Sequence, residues 1–222
     1  MSGPAQFLSL ARRGKELGVD LASLELRLAM LAGQTWAQAY RKKAEKEFKA
    51  KFYDFYGSVE MGHLAGECSE QNGMHTWEDL YIVEIVDPDT GKPLPLGKPG
   101  ELVITPLWRE AMPFIRYKTG DVALRQGYKW FSCGRTFPKI SRIKGRTEDM
   151  VKVGKASIFP IDVEEVIHAI PELTGEYQII LKKPGIQEFL EVRAECQSGV
   201  ADFEALQERL KNELEKNINV KS

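Results

Sequence analysis

Little in this 222-residue chain points outside the cell or into a membrane. Cysteine is scarce: Cys68, Cys133 and Cys196 are an odd number at wide spacing. That argues against the disulfide framework of small secreted folds, and the cytoplasm is the expected compartment. No apolar run reaches the length that spans a bilayer. A signal-peptide pattern is not found either, because Arg12, Arg13 and Lys15 follow the first short apolar stretch instead of preceding it. Charge of one sign is missing too. The 31 Lys and Arg stand against 32 Asp and Glu, so neither nucleic acid nor an anionic membrane is an expected partner. Internal repeats and low-complexity tracts are absent. What remains is a globular composition, 43% hydrophobic and 28% charged, long enough for one large domain or two small ones.

Periodicity divides the chain. Ala5 to Leu17 has helical spacing and stops at Gly18. Leu26 to Ala32 reads as a buried strand, Gly33-Gln34-Thr35 as a turn, and Trp36 to Lys49 as a basic amphipathic helix. Its Arg41, Lys42, Lys43, Lys46 and Lys49 read as a solvated face. Phe52 to Tyr56 is a second strand. This helix–strand–helix–strand order implies a parallel sheet. Periodicity lapses over 58–76, where a long loop is expected. Strands follow at Tyr81–Val86, Glu101–Thr105 and Val122–Arg125, with turns at Asp87–Gly91 and Pro95–Gly100. Between the last two, Phe114, Ile115 and Tyr117 read as a short strand, and Thr119-Gly120 as a turn presenting Asp121.

After the polar joint Thr147-Glu148-Asp149 the grammar becomes β-α-β-β-α. Met150–Val153 is a strand and Pro160–Ile170 a helix. Tyr177–Leu181 and Phe189–Ala194 are strands joined by Pro184-Gly185, and Asp202–Asn217 is an amphipathic helix. The expected fold class is α/β plus α+β. Residues 1–145 would form part of an α/β layer with a β-rich subdomain, and residues 146–222 a small α+β domain.

Three motifs carry the chemistry: Tyr56-Gly-Ser-Val-Glu60, Arg116-Tyr-Lys-Thr-Gly-Asp121 and Gly145-Arg146-Thr-Glu-Asp149. Taken singly, each reads as surface polarity. Their order and spacing resemble the adenylate-forming acyl-CoA ligases. A closer likeness, to the phenylacetate-CoA ligase branch, rests on five stretches. These are Gly73-Met-His-Thr-Trp-Glu-Asp79, Gly100-Glu-Leu-Val-Ile-Thr105, Arg109-Glu-Ala-Met-Pro-Phe-Ile-Arg-Tyr117, Cys133-Gly-Arg-Thr136 and Phe159-Pro160. The resemblance covers essentially the whole chain.

It implies a two-step reaction with ATP, Mg²⁺ and coenzyme A. An aromatic or acyl carboxylate forms acyl-AMP, and the coenzyme A thiol then displaces AMP. It further implies that Tyr56, with Gly57 beside it, stacks on adenine, that Gly33, Gln34 and Thr35 line the adenine edge, and that Ser58 binds phosphate oxygens. Glu60 would hold Mg²⁺, Asp121 the ribose hydroxyls, and Arg146 the ribose or α-phosphate. Relatives more often carry an acidic residue and a proline where this chain has Gln34 and Thr35. Glu148 and Asp149 would be the hinge of a mobile C-terminal domain; a homodimer is a further expectation for this chain. Some relatives bind zinc through a set that here leaves Cys68, His75 and Cys133, with Phe131 at a further cysteine position. His63 or Glu70 would complete four ligands, while the plainer reading is a free thiol and a loop histidine. Cys196 is expected in the core.

Other family features are not matched. The Ser/Thr/Gly-rich phosphate loop has no counterpart, Lys221 lacks the glycine-rich context of the family's C-terminal lysine, and Gly154-Lys155 inverts the usual basic–Gly order. The chain is therefore expected to be a C-terminal portion, inactive by itself. The alternatives are an enzyme that leaves AMP on a deazaflavin or another acceptor, and a non-catalytic nucleotide- or partner-binding module.

Overall fold

The computed structural model describes residues 3–127, 130–153, 156–182 and 189–218. The sequence readings at Gly154-Lys155, Pro184-Gly185 and Lys221 lie outside these residues. The chain divides into two compact units, Met1–Thr35 with Lys42–Glu148, and Trp36–Arg41 with Asp149–Ser222.

The first unit begins with α1 (Pro4–Glu16), β1 (Leu28–Leu31), α2 (Gln38–Phe48, from Lys42 onward) and β2 (Lys51–Ser58). β1 and β2 pair in parallel from Leu28↔Lys51 to Leu31↔Asp54, as helix–strand alternation requires. One face of this pair is closed by aromatic packing. Phe7 of α1 lies 4.8 Å from Phe48 of α2 and 4.9 Å from Phe52 of β2, centroid to centroid. The opposite face is open: Leu28 is 45% and Met30 43% exposed. With Tyr53, Phe55 and Trp77 they line a groove of about 720 Å³. The buried strand expected over Leu26–Ala32 is thus covered on one face only, with Ala29 and Leu31 inside and Leu28 and Met30 exposed.

Residues 58–76 are not a long loop. They hold β3 (Gly62–Glu67), antiparallel to β2, and β4 (Met74–Thr76), antiparallel to β3. Glycines hid the strand pattern, yet Gly57 at the end of β2 and Gly73 before β4 are required by close packing. A Cβ on Gly57 would meet Gly62 O at 2.2 Å, and one on Gly73 would meet Ile140 O at 2.7 Å. β8 (Lys139–Ile140), which the sequence did not signal, completes a sheet of order β1-β2-β3-β4-β8. The second sheet, β5-β6-β7-β9, holds β5 (Tyr81–Val86), β6 (Pro99–Pro106), β7 (Tyr117–Leu124) and β9 (Gly145–Arg146). Met61 of the β2–β3 turn, with Leu64 and Met74 from the first sheet, packs with Tyr81, Val83, Leu102 and Ile104 from the second in one core.

Three local expectations are corrected. Thr119-Gly120 is no turn, because β7 runs through it. Gly120 (φ +76°) is a kink opposite the register shift between Glu101 and Val103, held by ladders to β6 and β9. Phe114 and Ile115 precede the strand, on a segment bent by positive φ at Met112 and Arg116. Arg41 is not on a solvated face: it is 2% exposed, with its guanidinium 5.0 Å from the centre of the Trp36 ring.

The second unit holds hairpin β10 (Val151–Val153) and β11 (Ala156–Ile158), then α3 (Pro160–Ala169), hairpin β12 (Leu173–Lys182) and β13 (Phe189–Cys196), and α4 (Phe203–Ile218). Pro160 opens α3, where its missing N–H costs nothing, and the Asp162 carboxylate accepts from Phe159 N at 3.1 Å. Val163, Val166 and Ile167 of α3 form the core with Leu173, Leu206 and Ile218, while Cys196 is only half-buried at its edge.

Candidate functional site

β2, the β2–β3 turn, β7 and β9 bring seven polar side chains of the first unit together: Tyr56, Ser58, Glu60, Tyr117, Thr119, Asp121 and Arg146. Tyr56, near the end of β2, donates its hydroxyl to Asp121 Oδ2 at 2.5 Å. Burial first, and then the Asp121 carboxylate, push the Tyr56 phenol far above its ordinary range, so it stays a donor. The kinked β7 backbone fixes Asp121: Thr119 Oγ1 accepts from Asp121 N at 3.1 Å and donates to Leu102 O at 2.9 Å. Arg146 on β9 is the register partner of Asp121. Its Nη2 donates to Thr119 O at 3.3 Å and would lie 2.7 Å from a Cβ on Gly120, so the glycine makes room for the cation.

Ser58 and Glu60 lie at the β2–β3 turn, where Ser58 Oγ accepts from Met61 N at 3.2 Å. The Glu60 carboxyl is held below its usual range by its own backbone N–H, then by the Ser58 hydroxyl, and less by Tyr117 and Arg146. Burial and the Glu60 carboxylate raise the Tyr117 phenol in turn. An ionised carboxylate beside hydroxyls suits a hard, partly hydrated divalent cation. Sequence reasoning missed Tyr117 and Thr119 as site residues, although both lie inside its Arg116–Asp121 motif. Gly33, Gln34 and Thr35 leave β1 where β2 continues toward Tyr56. Gln34, however, turns its amide toward α1: a Cβ on Gly3 would lie 3.2 Å from Gln34 Oε1. Glu148 makes an exposed ion pair with Arg146 at 3.2 Å, and the two units divide between Glu148 and Asp149.

A second cluster occupies the far end of β3 and β4. The ligand atoms of Cys68, His75 and Cys133 all lie within 4.8 Å of one another. His75 Nδ1 meets Phe137 O at 2.7 Å, so it carries the proton and Nε2, 3.4 Å from Cys133 Sγ, is left as the ligand atom. Burial lowers the His75 pKa, favouring the neutral ring. Burial raises the Cys133 thiol, but the Arg135 N–H, Cys68 and the Arg135 side chain outweigh it. Two thiols and a neutral imidazole are a soft donor set that fits zinc. Of the two residues expected to complete it, Glu70 accepts from Cys133 N at 3.0 Å and from buried Lys139 at 2.8 Å. His63 instead packs on Phe55 with ring centres 4.7 Å apart.

Residues 156–222 match the AMP-binding enzyme C-terminal domain. The chain is 39% identical over 195 residues to the phenylacetate-coenzyme A ligase of Thermus thermophilus, covering 86% of this chain and 44% of that protein. It is 37% identical over 200 residues to the phenylacetate-coenzyme A ligase of Escherichia coli, covering 88% and 45%. The chain thus spans about half the length of the curated relatives it matches. A crystal structure of 2-hydroxyisobutyryl-CoA ligase with 2-HIB-AMP superposes with a TM-score of 0.88 at 24% identity, over 99% of this chain and 49% of that one, a likeness of fold. Over most of its length the chain is therefore a homologue of the C-terminal portion of phenylacetate-coenzyme A ligases.

Proposed function

We propose that this chain is the nucleotide-holding and C-terminal part of an ATP-dependent carboxylate–coenzyme A ligase. The observation that carries the reading is the convergence of Tyr56, Ser58, Glu60, Asp121 and Arg146 from three separate motifs. In the reaction proposed, an aryl or acyl carboxylate oxygen attacks the α-phosphorus of ATP, and the electron pair of the broken P–O bond leaves with pyrophosphate. The coenzyme A thiol then displaces AMP. Such chemistry needs positioning and charge neutralisation, not a protein nucleophile.

Asp121 accepts from the ribose hydroxyls, and Tyr56 holds that carboxylate in place while offering its ring to adenine. The turn Gly33–Thr35 borders the base, and Gly57 lets the hairpin close behind Ser58, which binds phosphate oxygens. Glu60 holds Mg²⁺, which would neutralise phosphate charge, and Arg146 pairs with ribose or the α-phosphate. Residues 146–222 act as a small mobile domain hinged at Glu148 and Asp149. Cys68, His75 and Cys133 hold Zn²⁺ as a structural clamp, with Glu70 beside them. Alone, the chain is a poor ligase. The test is Glu60→Gln in a ligase restored by joining this chain to the N-terminal half of a relative. Pyrophosphate exchange should fall at least about a hundredfold, as for loss of a charge stabiliser at a reacting phosphate. An unchanged rate defeats the site.

A further inference from the structure

Arg109 has no role in the site as described, yet its surroundings are those of a binding residue. It follows β6 on the segment leading to β7 and is half-buried. Its guanidinium carbon sits 5.1 Å from the centre of the Trp108 ring. Its Nε is closed off from solvent and has no hydrogen-bond partner among the described residues. No ion pair to Arg109 occurs among the described residues, although Glu110 is its neighbour in sequence. A sealed N–H without an acceptor costs free energy, and stacking on an indole offsets only part of it. Such a group is stabilised when an anion arrives.

The place where it waits is specific. A Cβ on Gly62 would lie 3.8 Å from Arg109 Nη2 and 3.8 Å from Tyr81 Oη. Gly62 is the register partner of Ser58 and closes the hairpin turn that carries Glu60. Tyr81 is locked by donating to Met61 O at 2.5 Å, so this side of the turn is rigid. Gly62 has φ +75°, a conformation that a side chain would strain, and its bare Cα leaves the guanidinium a clear approach. The residue is thus a fixed cation with free donors beside the turn that bears Ser58 and Glu60. Planar, always charged and forked, arginine is suited to phosphate oxygens.

We propose that Arg109 is a pyrophosphate-binding residue, gripping the β- and γ-phosphates of ATP and the pyrophosphate that departs. The inference rests on the reading that Ser58 and Glu60 face the nucleotide's phosphates. It adds a cation from the β6–β7 segment to a site otherwise drawn from β2, β7 and β9. It also separates two kinds of ligand: AMP lacks the groups that Arg109 would hold, whereas ATP and pyrophosphate have them.

Calorimetric titration of the chain with AMP, ATP and inorganic pyrophosphate, each with Mg²⁺, tests this. Arg109→Ala should weaken ATP and pyrophosphate about tenfold, the worth of a charge-assisted hydrogen bond, and leave AMP unchanged. Arg109→Lys, which keeps the charge and the stem over Trp108, should recover part of the loss. Equal weakening of AMP and pyrophosphate in both variants would mean that the arginine only supports the fold, and would overturn the proposal. So would pyrophosphate binding unaffected by either variant, or absent from the wild-type chain. If wild type binds pyrophosphate through Arg109 but does not bind AMP, the nucleotide reading fails while the anion site stands.

Discussion

Tyr56 and Arg146 lie at strand ends, Glu60 on a hairpin turn and Asp121 beside the kink within β7, and Arg146 is still 54% exposed. Cys68, His75 and Lys139 are instead 2%, 4% and 1% exposed. The Phe131 ring edges onto His75 at 4.9 Å and receives the Lys139 ammonium at 4.6 Å. The first cluster keeps its charges where a ligand can reach them. The second is closed in, and each polar atom there must be matched for the core to hold. One cluster should therefore govern binding, the other stability.

The sharpest break of this contrast is Asp121→Ala in the restored ligase. Removing the shared acceptor should lower kcat/KM for ATP about a hundredfold, from roughly 2–3 kcal/mol of lost charged hydrogen bonds. The melting temperature should move by only a degree or two. Steady-state kinetics and calorimetry on one preparation decide it, and a large melting shift with normal kinetics would reverse the two roles.

The second cluster should answer in the opposite sense. Chelator treatment should lower the melting temperature by several degrees, as loss of a metal clamp does, and Cys133→Ser should remove that response. A pH series sharpens the point. His75 titrates below its ordinary 6.5 because burial disfavours the imidazolium. A group with a depressed folded pKa contributes stability that is complete above its unfolded value and is lost as pH falls below it. The melting temperature should therefore decline from pH 6.5 downward, ahead of the carboxylates, and His75→Gln should flatten that region. A flat wild-type profile between pH 6.5 and 5 would contradict it.

The smallest effect belongs to Glu148. Its ion pair with Arg146 joins two side chains that are 70% and 54% exposed, and pairs of that kind contribute little. Glu148→Ala should leave the melting temperature unchanged within error. A shift of several degrees would mean that the exposed cluster is structural after all.

Legibility in the sequence followed the range of the interactions. The elements of the second unit are adjacent in the chain and regular in period, so Pro160–Ala169 and Phe203–Ile218 could be placed within a residue or two. The strands over 58–76 could not. Their regularity comes from pairing with β2 and β8, and Gly73 before β4 answers to the backbone of Ile140. Thr119-Gly120 looked like a turn because glycine permits one. The ladders on both sides of β7 turn the same freedom into a kink. Arg41 looked solvated because its neighbours in sequence are charged, and only the fold lays it against Trp36.

For the candidate site, the motifs named Tyr56, Glu60, Asp121 and Arg146, because short segments place their own residues. The hydrogen bond from Tyr56 to Asp121 spans 65 positions, and the approach of Arg109 to Gly62 brings together two segments that no motif links. Composition, period and motif order determined the mixed α/β class, the change of grammar near residue 149, and which residues could do chemistry. Which of them meet, and which are left without an acceptor, was decided by strand register and core packing. Those depend on contacts between distant parts of the chain, which local patterning does not encode.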